Sequence, residues 1–76
     1  MAIEKKLIAD IGSIGRYKVR VVQFGKRVGL DIREYITAET FVGYTKKGVF
    51  VSEQDLPELL RQVHAGKAVL DKDLFR

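Results

Sequence analysis

The stretch RYKVRVVQFGKRVGLDIREYI, residues 16–36, decides the fold. In its first half Tyr17, Val19 and Val21 alternate with Lys18, Arg20, Val22 and Phe24. That is the period of two expected of a strand with unlike faces. The second half, 28–36, repeats the pattern with Val28, Leu30 and Ile32. Only Gly25, Lys26 and Arg27 separate the halves. So short a connection, opened by a conformationally free glycine, makes an antiparallel hairpin.

The pairing sorts the side chains. If Val19, Val21, Leu30 and Ile32 turn toward a helix, then Lys18, Arg20, Phe24, Arg33 and Tyr35 share the opposite face. Asp31 is the one anion against that basic set, and the expected outcome is a cross-strand ion pair with Arg20 or Arg33. Glu34 has the parity of Ile32 and fits neither face; a bend or bulge after Ile32 would release it.

Outward from the hairpin, residues 3–14, IEKKLIADIGSI, read as an uneven strand, with Gly12-Ser13 and Gly15 marking a bend or bulge. Residues 37–44, TAETFVGY, read as a loop, and GVFVS, 48–52, as a fourth strand. The helix falls in SEQDLPELLRQVHAG, 52–66. Asp55 is the better N-cap because Pro57 then occupies the first turn, and Glu58 has the capping-box spacing. Leu56, Leu59, Leu60 and Val63 form its apolar stripe, and Gly66 is the expected stop. The tail KAVLDKDLFR, 67–76, is expected to form a short helical turn or to fray. Four antiparallel strands followed by one helix define an α+β meander in a single domain, 1–76. One helix covers only part of one sheet face, so the other must be solvated, bind a ligand or meet a second copy.

Composition narrows the function. The chain has 76 residues, no cysteine, one histidine and a formal net charge of +4. A domain this small buries only about 60% of its unfolded surface. Without disulfides, thiolate metal sites or a histidine cluster, oligomerisation is the support that remains, and a homodimer is the expectation. No apolar run approaches the roughly 20 residues that span a bilayer, and MAIEKKLIADIG does not read as a signal peptide. A cytoplasmic protein with no membrane partner is expected.

The basic face carries aromatic rings among its charges: Lys26 and Arg27 at the hairpin tip, Lys46 and Lys47 entering the fourth strand, and Phe24 and Tyr35 between. Cations follow phosphates while unpaired bases stack on rings, which suits a single-stranded nucleic acid. Duplex recognition more often uses a helix in the major groove. Here the helix opens with Glu53, Asp55 and Glu58, which repel phosphate. No catalytic residue, cofactor or metal is expected. His64 has no cysteine or serine motif beside it, Asp71 and Asp73 lie in the tail, and neither GKRVG nor YTKKG has the full pattern of a phosphate-binding loop.

The segment LDIREY, followed after a loop by TKKGVFVSEQDLPELL, resembles the positive cofactor four family of transcriptional coactivators that bind single-stranded DNA. RYKVRVVQFGKRVG fits the same pattern, and the resemblance covers roughly residues 12–64. It implies a curved four-stranded sheet, a homodimer formed through the helix (Leu56, Leu59, Leu60, Val63) and neighbouring strand edges, and grooves for single strands or melted duplex with little sequence preference. By position it implies that Phe24 stacks on bases and that Lys18, Arg20, Arg27, Arg33 and Lys47 contact phosphates, with Lys26 and Lys46 beside them. The chain departs from the eukaryotic members at Ile36, where they carry a stacking tryptophan. Either Tyr35, Phe41 or Tyr44 substitutes, or binding is weaker. It also lacks their serine- and lysine-rich N-terminal region and looks like the short form of bacteria and phages. That favours a general single-strand binder in transcription, replication or repair, with transcription or replication proteins as further partners. Two alternatives stand beside this reading. One is RNA binding through the same face. The other is a protein-interaction module in which the basic strands dock an acidic partner, helped by the tail DKDLFR.

Overall fold

The computed structural model describes residues 5–72. It contains β1 (Lys5–Ile14), β2 (Tyr17–Phe24), β3 (Arg27–Thr37), β4 (Val42–Ser52) and α1 (Leu56–Asp71). The strands form one antiparallel sheet in the order β1-β2-β3-β4. The α+β meander read from the sequence is therefore the fold; residues 3, 4 and 73–76 of the expected elements lie outside the described residues.

The first two hairpins turn on Gly15-Arg16 and Gly25-Lys26, with Gly15 at φ 60° and Gly25 at φ 58°. Only glycine takes that left-handed backbone without strain. Arg27, expected in the turn, instead opens β3 opposite Phe24. The first strand carries register shifts between Leu7 and Ala9 and between Asp10 and Gly12, which is the unevenness seen in its sequence. The fourth strand starts at Val42, six residues before the expected position, because Tyr44, Gly43 and Val42 pair with Tyr35, Ile36 and Thr37. Between Arg33↔Gly48 and Tyr35↔Tyr44, three residues of β4 (Thr45, Lys46, Lys47) oppose Glu34 alone. The bulge needed to accommodate Glu34 thus lies mainly in the partner strand.

The sheet is strongly coiled. Lys5 pairs with Phe24 at one end, and Tyr44 pairs with Tyr35 at the other, diagonally opposite. In a flat sheet these corners would lie roughly 25 Å apart along the strands. The Lys5 ammonium nevertheless lies 5.4 Å from the centre of the Phe24 ring and 6.0 Å from that of Tyr44. The face that carries both is concave.

Burial follows this curvature and not the hydrophobic pattern. Among the described residues Val22 is the only fully buried apolar residue, and Arg20, Asp31 and Glu34 are buried with it. The Val19, Val21, Leu30 and Ile32 face stays half-buried. The expected helix cover is not there: no residue of α1 is buried, and the helix makes no extensive contact with the sheet. The helix also runs through Gly66 to Asp71, where its stop was expected. Asp55 is the N-cap, as Pro57 requires, but makes no side-chain capping bond. Glu58 does not close a capping box; its carboxylate accepts from Arg61 and Gln62 instead. Among the described residues no helix is long and apolar enough to cross a membrane.

Candidate nucleic-acid interface

The floor of the concave face is an ionic cluster. In register, Arg20 lies opposite Asp31, and Lys18 opposite Arg33. Asp31 has no exposed side-chain surface and accepts from Arg20 Nη2 at 3.0 Å and Arg33 Nη2 at 2.9 Å, with Lys5 Nζ at 4.0 Å. Burial pushes the Asp31 carboxyl pKa up, but the hydrogen bonds from Arg33 and Arg20, with the charges of Arg33 and Lys5, outweigh it and hold the pKa below 3.8. Burial, and next the charge of Arg20, lower the Lys5 pKa against the pull of Asp31. Three cations meet one anion, so the floor carries surplus positive charge. The cross-strand pairing expected of Asp31 is present with Arg20, and Arg33, two residues along the same strand, pairs with it as well.

Aromatic rings stand at both ends of this cluster. Phe24 and Phe50 meet edge to face with centroids 5.2 Å apart, and Tyr35 and Tyr44 do so at 4.9 Å. Each ring has a cation over it. Lys5 lies over Phe24, Arg27 over Phe50 at 5.4 Å, Lys18 over Tyr35 at 4.6 Å and Arg20 over Tyr44 at 3.9 Å. Such contacts are individually weak at exposed sites and strengthen as water is excluded.

The sequence-predicted residues divide accordingly. Lys18, Arg20, Phe24, Arg27, Arg33 and Tyr35 do share one face. Arg20 is buried and committed to Asp31, and Arg33 is half-buried with both terminal nitrogens bonded. Lys46 and Lys47 are exposed on the β4 bulge. Lys26, at the hairpin tip, borders a cleft of about 260 Å³ that it shares with Glu53 and Asp55, so its charge is opposed locally. Of the three aromatic residues Tyr35, Phe41 and Tyr44 near Ile36, Tyr35 and Tyr44 lie on the concave face. Phe41 lies over Gly43, the partner of Ile36, at the hairpin end. Leu56 and Leu59 are half-buried, Leu60 and Val63 exposed. His64 is exposed on the helix.

Sequence reasoning missed Lys5 and Phe50 as parts of this face. Lys5 arrives only because the sheet coils. Phe50 has the right parity once Gly48 is set opposite Arg33, but the extra residues of the β4 bulge hide that register. Gly48 and Gly29 were the available signals. A Cβ at Gly48 would lie 2.4 Å from the Ile32 carbonyl oxygen, and one at Gly29 would lie 2.2 Å from that of Val51. Only glycine permits strands to approach so closely.

No family model, curated protein or solved structure matches the chain.

Proposed function

We propose that the chain is a homodimeric, non-enzymatic single-stranded DNA-binding protein of the positive cofactor four type. It takes unpaired strands on the concave face with little sequence preference and acts in the cytoplasm in transcription, replication or repair. The observation that carries this reading is the interleaving of cations and rings on that face: four aromatic rings, each with a cation above it. A base that displaces a lysine from a ring gains a stacking surface and leaves the ammonium beside its own phosphate. Lys5, Lys18, Arg27, Lys46 and Lys47 supply the phosphate contacts. Phe24 and Tyr35 supply stacking surfaces, supported by Phe50 and Tyr44. Arg20, Arg33 and Asp31 hold the floor.

The dimer follows from what is left uncovered. The convex sheet face and the stripe of α1 are both apolar and both open, with Leu60 53% and Val63 56% exposed. The Cα radius of gyration is 15.1 Å, against about 11 Å for a compact domain of this length. A second copy, bringing its own helix and sheet, covers both surfaces at once.

The test is fluorescence anisotropy of a labelled single-stranded DNA oligonucleotide over a salt series, with the matching duplex and an RNA of the same sequence as competitors. The expected result is binding that falls steeply with salt and is displaced poorly by duplex. The slope should be about −0.7 per phosphate neutralised. Preferential displacement by RNA would move the assignment to RNA, and absence of binding at low salt would overturn both.

A further inference from the structure

The bulge residues Thr45, Lys46 and Lys47, which oppose Glu34 alone, are fixed from both sides. From the β3 side, Arg33 reaches across Gly48 and donates from Nη1 to the Lys46 carbonyl oxygen at 3.0 Å. Its Nη2 donates to Asp31 at 2.9 Å. The passage exists because Gly48 has no side chain: a Cβ there would stand 3.0 Å from Arg33 Nε. From the other side, Thr45 Oγ1 donates to buried Glu34 at 3.0 Å and accepts from the Lys47 backbone N–H at 3.1 Å. Lys46 and Lys47 are therefore presented on a pinned backbone, and the guanidinium that pins it has its two terminal nitrogens already engaged.

From this we infer that Arg33 is a positioning residue and not a phosphate contact: it clamps the Thr45–Lys47 bulge to the buried Asp31, so that Lys46 and Lys47 meet the nucleic acid in a fixed place. The inference rests on the single-strand reading and assigns roles within its site. A planar guanidinium spans two acceptors in fixed directions, whereas a lysine ammonium is a point charge on a flexible stem. The Arg33→Lys variant therefore separates the two roles. It preserves the charge a phosphate would feel and removes the fork the clamp requires.

The experiment is a double-mutant cycle with a labelled oligothymidylate, accompanied by amide hydrogen exchange of the free protein. Arg33→Lys should weaken binding on the order of tenfold in the otherwise native chain, the size of one coupled interaction, and less than about twofold once Lys46→Ala and Lys47→Ala are present. In the free protein it should speed exchange at Lys47 and Gly48 and leave the β1–β2 amides unchanged. Thr45→Val, which removes no charge, should loosen the same amides and also weaken binding. Equal losses from Arg33→Lys in both backgrounds, or unchanged exchange at the bulge, would overturn the clamp. Failure of the native protein to bind oligothymidylate would overturn the single-strand reading instead, and the exchange data would still judge whether Arg33 pins the bulge.

Discussion

The Arg20 guanidinium and the Asp31 carboxylate meet at 3.0 Å in the most buried part of the sheet, and Arg20 Nε is left there without a hydrogen-bond partner among the described residues. The arrangement inverts the usual one, with charge inside the curve and aliphatic side chains outside it. Buried pairs contribute little net stability over an apolar substitute, yet breaking one strands its partner. Asp31→Ala would strand Arg20 and free Arg33 together. The expected loss is about 3–5 kcal/mol in denaturant unfolding, enough to unfold much of a marginal domain. A loss below about 1 kcal/mol, the level of an exposed pair, would mean that the cluster is solvated in solution.

The same carboxylate sets an acid limit. Its folded pKa lies below its ordinary value, so it binds a proton less readily folded than unfolded. Its stabilisation is therefore complete above the unfolded pKa and is lost as pH falls through the folded one. Unfolding free energy should decline below about pH 5 and continue to decline toward the folded pKa. The acid limb should be shallower in Asp31→Asn, which cannot titrate. Identical acid limbs in the two proteins would remove Asp31 from the account.

Phe24 serves both the sheet and the proposed ligand. Its ring packs on Phe50 and lies beneath Lys5, and it stays half-buried. Phe24→Ala should weaken single-strand binding by about 1–3 kcal/mol, the range for one lost stack. Stability should fall as well, by about 0.5–1.5 kcal/mol for the aromatic pair plus the transfer free energy of the apolar area lost. Titration of the folded variant by anisotropy separates the two effects. Native affinity in that variant would assign Phe24 to packing alone.

How far the sequence could be read depended on period. The β2–β3 hairpin was legible because two strands keep strict alternation across a short glycine turn, and the sharing of one face by Lys18, Arg20, Phe24 and Arg33 followed from it. The start of β4 was not, because the bulge at Thr45–Lys47 shifts the register by two residues midway and makes Val42–Tyr44 look detached from Val49–Val51. Burial was not legible either. Apolar Val19, Val21, Leu30 and Ile32 announce a core, but the coiling that encloses Arg20 and Asp31 instead depends on bulges and on the close approaches at Gly29 and Gly48. The cap and the stripe place helix α1, whereas Gly66, a natural stop by residue type, lies inside it. A glycine costs a helix interior only about 1 kcal/mol, and good helix formers on both sides carry the helix past it.

That stripe gives the last prediction. In an isolated monomer Leu60 and Val63 would be ordinary exposed positions, where substitution changes stability by no more than about 0.5 kcal/mol. In a dimer that covers the α1 stripe, a buried, unpaired carboxylate would be costly. Leu60→Glu and Val63→Glu should therefore convert a dimer to monomer in sedimentation equilibrium and lower the thermal midpoint. Gln62→Glu, which adds the same charge between the two positions but off the Leu56, Leu59, Leu60 and Val63 stripe, should leave the dimer intact. Because the stripe and the convex sheet face are covered together, the two disruptive variants should also lose protection of the Val49 and Val51 amides, on a strand that the substitutions do not touch. A monomeric native protein, or disruptive variants that sediment as the native one does, would leave the apolar face open and require another partner for it.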